Sequence, residues 1–179
     1  MLMEVDPLDP RLPPCDDSLV LRGAAELARN IAAGEVSSRE VVSAFLDRIA
    51  AVDDQVNAIC WPLFDQARTA AAAADETQAN GQTLGPLHGV PITIKECFHL
   101  AGTPSTMGLS ALKDQMQPQD SSLVASLKVA GAIVLGKTNV PQLMILHETD
   151  NPLYGRTNNP RNLECTPGGS SGGEGAIIA

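Results

Sequence analysis

Apolar residues recur at helical spacing near the start of the chain. The first series consists of Leu21, Ala24, Leu27 and Ile31. Steps of three or four residues place side chains on one face of an α-helix. Gly34 follows the series, and glycine often ends a helix because it adopts a left-handed conformation without strain. The pattern predicts a helix over residues 19–33.

A second helix is predicted from its N-terminal cap. Ser37 and Glu40 have the spacing of a capping box, in which each side chain accepts a hydrogen bond from the backbone N–H of the other residue. The apolar stripe that follows consists of Val41, Val42, Phe45, Ile49 and Val52. A third helix is predicted over residues 64–77, where a run of alanines gives high helix propensity but little packing specificity.

Three short apolar segments predict β-strands. They cover residues 56–61, 91–96 and 132–135. Between the last two, the pattern predicts a loop over residues 101–119 and then a helix over 120–128, capped by Asp120. Asn139 is predicted to cap one more short helix. A crossover that contains a helix implies parallel pairing of the strands it joins, and therefore an α/β fold.

The chain divides into a short arm and one domain. Residues 1–16 contain four prolines and no apolar period, so we expect an extended or disordered arm. No repeat or break in composition divides residues 17–179, which we interpret as part of a single domain. The sequence does not decide between a monomer and a homodimer.

Composition excludes several classes of function. A net charge of −9 and a pI near 4.6 argue against a nucleic-acid partner, because phosphates are bound by Lys and Arg. No apolar run approaches the length of a membrane span, and the N-terminus lacks the features of a signal peptide. The four cysteines show no metal-binding spacing. We therefore predict a cytoplasmic protein with free buried thiols, no membrane span, no metal and no cofactor.

The densest polar motif lies near residue 170. From Gly168 to Ile177 the chain contains five glycines and the adjacent serines Ser170 and Ser171. Such a segment is typical of a flexible linker. The alternative is a loop that leads into a buried helix, favoured by the apolar residues that follow Glu174. Backbone N–H groups and hydroxyls at the start of such a helix are available for chemistry.

Lys95 occupies an unusual place for a lysine. It lies within the apolar strand predicted over residues 91–96, and lysine is rarely buried unless it is paired. Its side chain either points outward from an alternate face or is desolvated. Desolvation lowers the pKa of a lysine, so that a neutral amine becomes available as a base.

Four motifs in order resemble the amidase signature family. Along the chain they are Gly89–Phe98, Thr138–Gln142, Asn151–Gly155 and Gly168–Gly173. The spellings Lys-Glu-Cys-Phe and Gly-Gly-Ser-Ser-Gly-Gly-Glu-Gly-Ala are similar in particular to the fatty acid amide hydrolase branch. The resemblance covers residues 34–179. It implies the N-terminal part of the family's α/β fold, a mixed and largely parallel central sheet covered by helices, incomplete at the C-terminus.

The resemblance also implies roles for individual residues. Lys95 would take a proton from Ser170, which would be held by a cis peptide and relay that proton from a nucleophilic serine. Ser171 would supply supporting hydrogen bonds, and Gly168 and Gly169 would give the turn room. Met144 would stand where the family contacts an acyl group, although a methionine there is equally typical of a core. The implied substrate is a small carboxylic amide or ester.

One part of the family's site has no match in this sequence. None of the upstream serines has the Gly-Gly-Ser context of the family's nucleophile, which is expected beyond residue 179 together with the oxyanion hole. We therefore expect the chain alone to be inactive as an amidase. The alternatives are a catalytically dead fragment or binding module, and, within the family, a protein similar to the A subunit of an amidotransferase.

Overall fold

The fold is built on one three-stranded sheet. The computed structural model describes residues 7–15 and 17–179. Its strands are β1 (Ile59–Pro62), β2 (Pro91–Lys95) and β3 (Ile133–Thr138), in the spatial order β1-β3-β2. β2 and β3 pair in parallel, as the helical crossover predicts, and β1 pairs antiparallel with β3. The sheet is therefore mixed, and the predicted α/β class is confirmed.

The described residues form five α-helices. They are α1 (Ala24–Ala32), α2 (Ser38–Val56), α3 (Phe64–Ala79), α4 (Ser122–Val129) and α5 (Gly172–Ile178). The capping box of α2 is present: the Ser37 hydroxyl accepts a hydrogen bond from the Glu40 backbone N–H at 3.1 Å, and the Glu40 carboxylate accepts one from the Ser37 N–H at 2.8 Å. α2 runs through Val56 and ends where Asn57 turns left-handed, so β1 begins later than predicted.

Three local predictions are wrong. α1 begins at Ala24 rather than residue 19, since Gly23 before it is extended, and Leu21 is 72% exposed and not part of the buried stripe. Asp120 does not cap α4; its carboxylate accepts hydrogen bonds from the Ala101 N–H and from Lys128 Nζ. Asn139 opens no α-helix, since its side chain belongs to a buried hydrogen-bond network, and only a short 3-10 turn follows at Gln142–Met144.

The main apolar core lies between the sheet and the pair α2 and α3. We call this region the aliphatic scaffold; its buried members are Val42, Leu46, Ile49, Ile59, Ala67, Ala71, Ala74, Ile133 and Leu135. The alanines of α3 are small enough to bring that helix close to α2. The stripe predicted for α2 is confirmed, since most of its residues are buried.

The N-terminal residues that the structure describes lie against this fold. Leu12 is buried with Val52, Val56 and Leu163. Asp9 is also buried, and its carboxylate accepts hydrogen bonds from Arg11 and from the Leu163 N–H. Residues 1–6 and 16 of the predicted arm lie outside the described residues. The boundary after residue 16 stays a prediction.

The four cysteines are free, as predicted. Burial raises the pKa of the Cys60 thiol, so that this side chain stays protonated near neutral pH. The prediction that the thiols are buried is wrong, because Cys15, Cys60 and Cys97 are only half-buried and Cys165 is exposed.

Candidate active site

Lys95 lies at the end of β2, where its Cα is paired with Thr138 of β3. Its Nζ donates hydrogen bonds to Ser170 Oγ and Ser171 Oγ, both at 2.8 Å. Lys95 and Ser170 are partly buried, and Ser171 is exposed. The structure therefore contains the contact between Lys95 and Ser170 that the resemblance implies. The catalytic roles of these residues stay predictions.

The two serines lie on a tight loop immediately before α5. The Gly169–Ser170 peptide is cis. Gly168 has a φ of 93°, and its carbonyl oxygen accepts a hydrogen bond from Thr149 Oγ1 at 2.7 Å. The glycine-rich segment is therefore tied to the neighbouring loop and is not a flexible linker.

Two glycines of α5 allow close packing that a side chain would prevent. A Cβ on Gly172 would lie 2.0 Å from Thr149 Oγ1, and one on Gly173 would lie 2.4 Å from the backbone nitrogen of Asn139. The Gly173 N–H donates to the carbonyl of Asn139 at 3.1 Å. The first turn of α5 therefore lies directly on the backbone that follows β3.

Glu174 connects α5 to both parallel strands. Its carboxylate accepts a 2.7 Å hydrogen bond from Thr93 Oγ1 of β2 and another, also 2.7 Å, from Thr138 Oγ1 of β3. The sequence prediction assigned no role to Glu174. Each of these residues is common on a protein surface, and only the pairing of the strands brings the three together.

A second polar cluster contains Lys137 and Glu96, both fully buried. Lys137 Nζ donates to the carbonyl of Pro104 and to Ser105 Oγ. The Glu96 carboxylate accepts hydrogen bonds from the backbone N–H groups of Thr106 and Met107 and from the Thr106 hydroxyl. Burial lowers the pKa of Lys137, and the negative charge of Glu96 opposes that change.

The two clusters use opposite faces of β2 and β3. Side chains alternate along a strand, so Thr93 and Lys95 share one face of β2, and Thr138 continues that row on β3. Glu96 and Lys137 belong to the other face. Lys137, like Lys95, is a lysine beside an apolar strand, but the strand predicted from the sequence ends at residue 135 and leaves it out.

Two of the four family-like motifs are joined by buried asparagines. Asn151 Nδ2 donates to Asn139 Oδ1 and to the carbonyl of Val140, both at 2.8 Å. Asn139 Nδ2 in turn donates to the carbonyl of Gly155 at 2.9 Å and to Thr157 Oγ1 at 3.1 Å. These bonds order the loops that contact the glycine-rich segment, where Thr149 donates to the Gly168 carbonyl and the Asn139 carbonyl accepts from the Gly173 N–H.

Met144 lies in the 3-10 turn after β3 and is partly buried, with a φ of 57°. The same segment touches the serine loop, because a Cβ on Gly169 would meet Pro141 Cγ and the carbonyl oxygen of Leu146, each at 3.0 Å. Met144 makes no hydrogen bond to Lys95 or the serines, and its role with substrate stays a prediction.

No metal site and no membrane helix appear in residues 7–15 and 17–179. Within these ranges, no group of three or more His, Cys, Asp or Glu side chains is arranged to hold a metal ion. Nor does any helix there combine the length and apolarity needed to cross a membrane.

Comparisons with known proteins agree with this geometry. The family model described as Amidase matches residues 40–179. The chain is 46% identical to the A subunit of a glutamyl-tRNA(Gln) amidotransferase from Acidothermus cellulolyticus, covering 90% of this chain and 32% of that protein. It is also 46% identical to fatty-acid amide hydrolase 2-A from Danio rerio, covering 94% of this chain and 33% of that protein.

Among solved structures, a fatty acid amide hydrolase superposes with a TM-score of 0.87 at 34% identity, covering 93% of this chain and 29% of that one. The chain thus spans about a third of the length of the curated relatives that it matches. Identity does not separate the two curated relatives, because the amidotransferase and the hydrolase match equally well. Both relatives and this chain share one family. The chain belongs to the amidase family.

Proposed function

We propose that this chain supplies the proton-transfer residues of a serine amidase, an enzyme that hydrolyses carboxylic amides through an acyl-enzyme. The observation that carries the proposal is the position of Lys95 Nζ, 2.8 Å from the hydroxyls of both Ser170 and Ser171. A single amine bonded to two adjacent hydroxyls can accept a proton from one of them while it stays oriented by the other.

In this proposal Lys95 acts as the base in its neutral form. A nucleophilic serine gives its proton to Ser170 Oγ, which passes its own proton to Lys95 Nζ. Ser171 holds the amine in place throughout. On collapse of the tetrahedral intermediate the proton returns by the same path to the leaving amine.

The acylated serine comes, in this proposal, from sequence outside these 179 residues. Among the described side chains, Ser170 and Ser171 are the ones hydrogen-bonded to Lys95 Nζ. A third hydroxyl in line with Ser170 is therefore needed, together with backbone donors for the oxyanion. Because one lost oxyanion donor alone costs about 10²–10³ in rate, we expect the isolated chain to be inactive.

The substrate we propose is an amide with an apolar acyl group, as in fatty acid amides. Three exposed apolar side chains support this choice: Leu143, Ile145 and Leu146. They belong to the segment that contacts Gly169, next to Ser170. The second candidate is the A subunit of an amidotransferase, which the 46% identity to one such protein favours equally.

The test uses the chain alone and a chimera in which it replaces the matching third of fatty-acid amide hydrolase 2-A from Danio rerio. Each protein is incubated with an activated acyl ester, an aryl amide and a fluorophosphonate probe for reactive serines. We expect neither turnover nor labelling in the chain alone, and both in the chimera. Lys95→Ala should lower the rate of the chimera by about 10²–10⁴-fold, the usual contribution of a general base.

Lys113→Ala is the matched control, because Lys113 is an exposed lysine remote in sequence from both serines. Serine labelling in the isolated chain that Lys95→Ala abolishes would place the nucleophile inside the chain and contradict the proposal. A folded chimera without activity would favour a catalytically dead module. Full activity of the Lys95→Ala chimera would rule out the base.

A further inference from the structure

Glu174 joins the serine loop to the strand that carries Lys95. It lies in the first turn of α5, four residues after Ser170. Its carboxylate accepts hydrogen bonds from Thr93 and Thr138. Thr93 is two residues before Lys95 on β2, and Thr138 is the partner of Lys95 on β3. Both threonines therefore stand on the same face of the sheet as Lys95 and immediately beside it.

The segment between the serines and Glu174 has little freedom. The Gly175 N–H donates to the Ser171 carbonyl at 2.9 Å, and the Gly173 N–H donates to the Asn139 carbonyl at 3.1 Å. Any shift of Glu174 along the sheet would therefore move Ser170 and Ser171 with it. The two hydrogen bonds of Glu174, one to each strand, hold this residue in place and so prevent that shift.

We propose that Glu174 is a positioning residue that sets the contact between Lys95 Nζ and the two serine hydroxyls. It acts through Thr93 and Thr138 and does not touch the reacting atoms. The catalytic role of this contact rests on the proposed function, whereas the contact itself is independent of it.

The chemistry of the three side chains predicts which substitutions are tolerated. Glu174→Ala removes both acceptors and leaves two threonine hydroxyls without their partner. Glu174→Gln keeps one acceptor and gains a donor, and a threonine hydroxyl can accept as well as donate, so both bonds to Thr93 and Thr138 survive. If hydrogen bonds rather than charge position the loop, Gln should replace Glu and Ala should not.

The direct test is an NMR measurement on the 179-residue chain with lysine labelled at Cε and Nζ. The Lys95 signal is assigned by its loss in Lys95→Arg. We expect Glu174→Ala to move this signal toward that of solvent-exposed lysines and Glu174→Gln to leave it in place. Glu148→Ala, which removes an exposed carboxylate from a neighbouring loop, is the matched control and should change nothing.

A second variant guards against simple unfolding by Glu174→Ala. The double substitution Thr93→Val with Thr138→Val keeps the volume of both side chains and removes both donors, so it should shift the Lys95 signal in the same direction. An unchanged Lys95 signal in a folded Glu174→Ala protein, or in the double variant, would overturn the proposal.

The chimera separates this proposal from the proposed function. There, Glu174→Ala should slow serine acylation by about 10–100-fold through misplacement of the relay, with recovery in Glu174→Gln. If Lys95→Ala abolishes acylation but Glu174→Ala has no effect, Glu174 is not a positioning residue. If Glu174→Ala shifts the Lys95 signal while Lys95→Ala leaves acylation unchanged, the positioning role stands and the proposed function fails.

Discussion

The aliphatic scaffold and the loops around the site are stabilised in different ways. Between α2, α3 and the sheet, buried side chains such as Leu46, Ile49 and Leu135 contact one another without a polar partner. Around the end of β3, in contrast, buried groups such as Asn139 and Lys137 are linked by specific hydrogen bonds to the backbone of distant loops. One region depends on apolar area, the other on matched donors and acceptors.

This difference decides how each region should respond to mutation. Apolar contacts are non-directional, so a core tolerates changes that preserve volume. A buried polar group, in contrast, destabilises the fold when its partner is removed, because it then has a hydrogen bond neither to protein nor to solvent. Substitutions in the two regions test this contrast.

The largest effect is expected for Lys137→Met. This substitution removes the positive charge that acts through space on the buried Glu96 carboxylate, and it leaves the Pro104 carbonyl and the Ser105 hydroxyl without their donor. We expect the free energy of unfolding to fall by about 3–5 kcal/mol, because a buried carboxylate loses the positive charge near it and two buried oxygens lose their donor. Urea denaturation measures it, with Lys113→Met as the exposed control, expected within about 0.5 kcal/mol of the original protein.

A double-mutant cycle sharpens this prediction. Glu96→Gln should cost less in the Lys137→Met background than in the original chain, because there it replaces a buried carboxylate that has already lost the nearby positive charge. Strictly additive losses would mean that the two side chains are not coupled, and a loss below about 1 kcal/mol for Lys137→Met would show that this lysine is dispensable.

The sequence revealed the scaffold because its signals are local. The capping box of Ser37 and Glu40, the stripe on α2 and the helical crossover before β3 can each be recognised within a few residues. The predictions that went wrong, at Asp120 and Asn139, concern residues whose side chains bind partners far along the chain. No local pattern contains that information.

The site was partly predictable for a different reason. Lys95 stood out as a lysine beside an apolar strand, and the motif around Ser170 and Ser171 matched a known family; the structure brings all three together. Glu174 and Lys137 were missed, since their importance depends on strand register and on the true end of β3, which runs through Thr138. Neither can be read from spacing alone.

A smaller effect is expected in the scaffold. Leu46 is buried against neighbours on α3 and the sheet, and Leu46→Ala should lower the free energy of unfolding by about 3 kcal/mol through lost burial and the cavity left behind. Leu46→Met, which nearly preserves volume, should cost less than about 1.5 kcal/mol. If Met were as damaging as Ala, the scaffold would depend on shape as strictly as the polar region does. Thermal and urea unfolding of both variants decide this.

The smallest effect concerns pH and the N-terminal residues. The Arg11 side chain, followed by the backbone N–H groups of Arg11 and Leu163, lowers the pKa of Asp9 below its usual value. A carboxyl with a lowered folded-state pKa stabilises the protein above its unfolded pKa of about 3.9, and this contribution disappears as the pH falls through the folded-state value. Asp9→Asn should therefore be less stable than the original protein at about pH 6, with the difference shrinking below about pH 4.

Arg11→Gln removes the main cause of the lowered pKa of Asp9 and should show the same trend more weakly. Urea denaturation across this range provides the measurement. A difference between the original protein and the Asp9→Asn variant that grows on acidification would contradict the assignment, because protonation would then be adding stability where the geometry requires a loss.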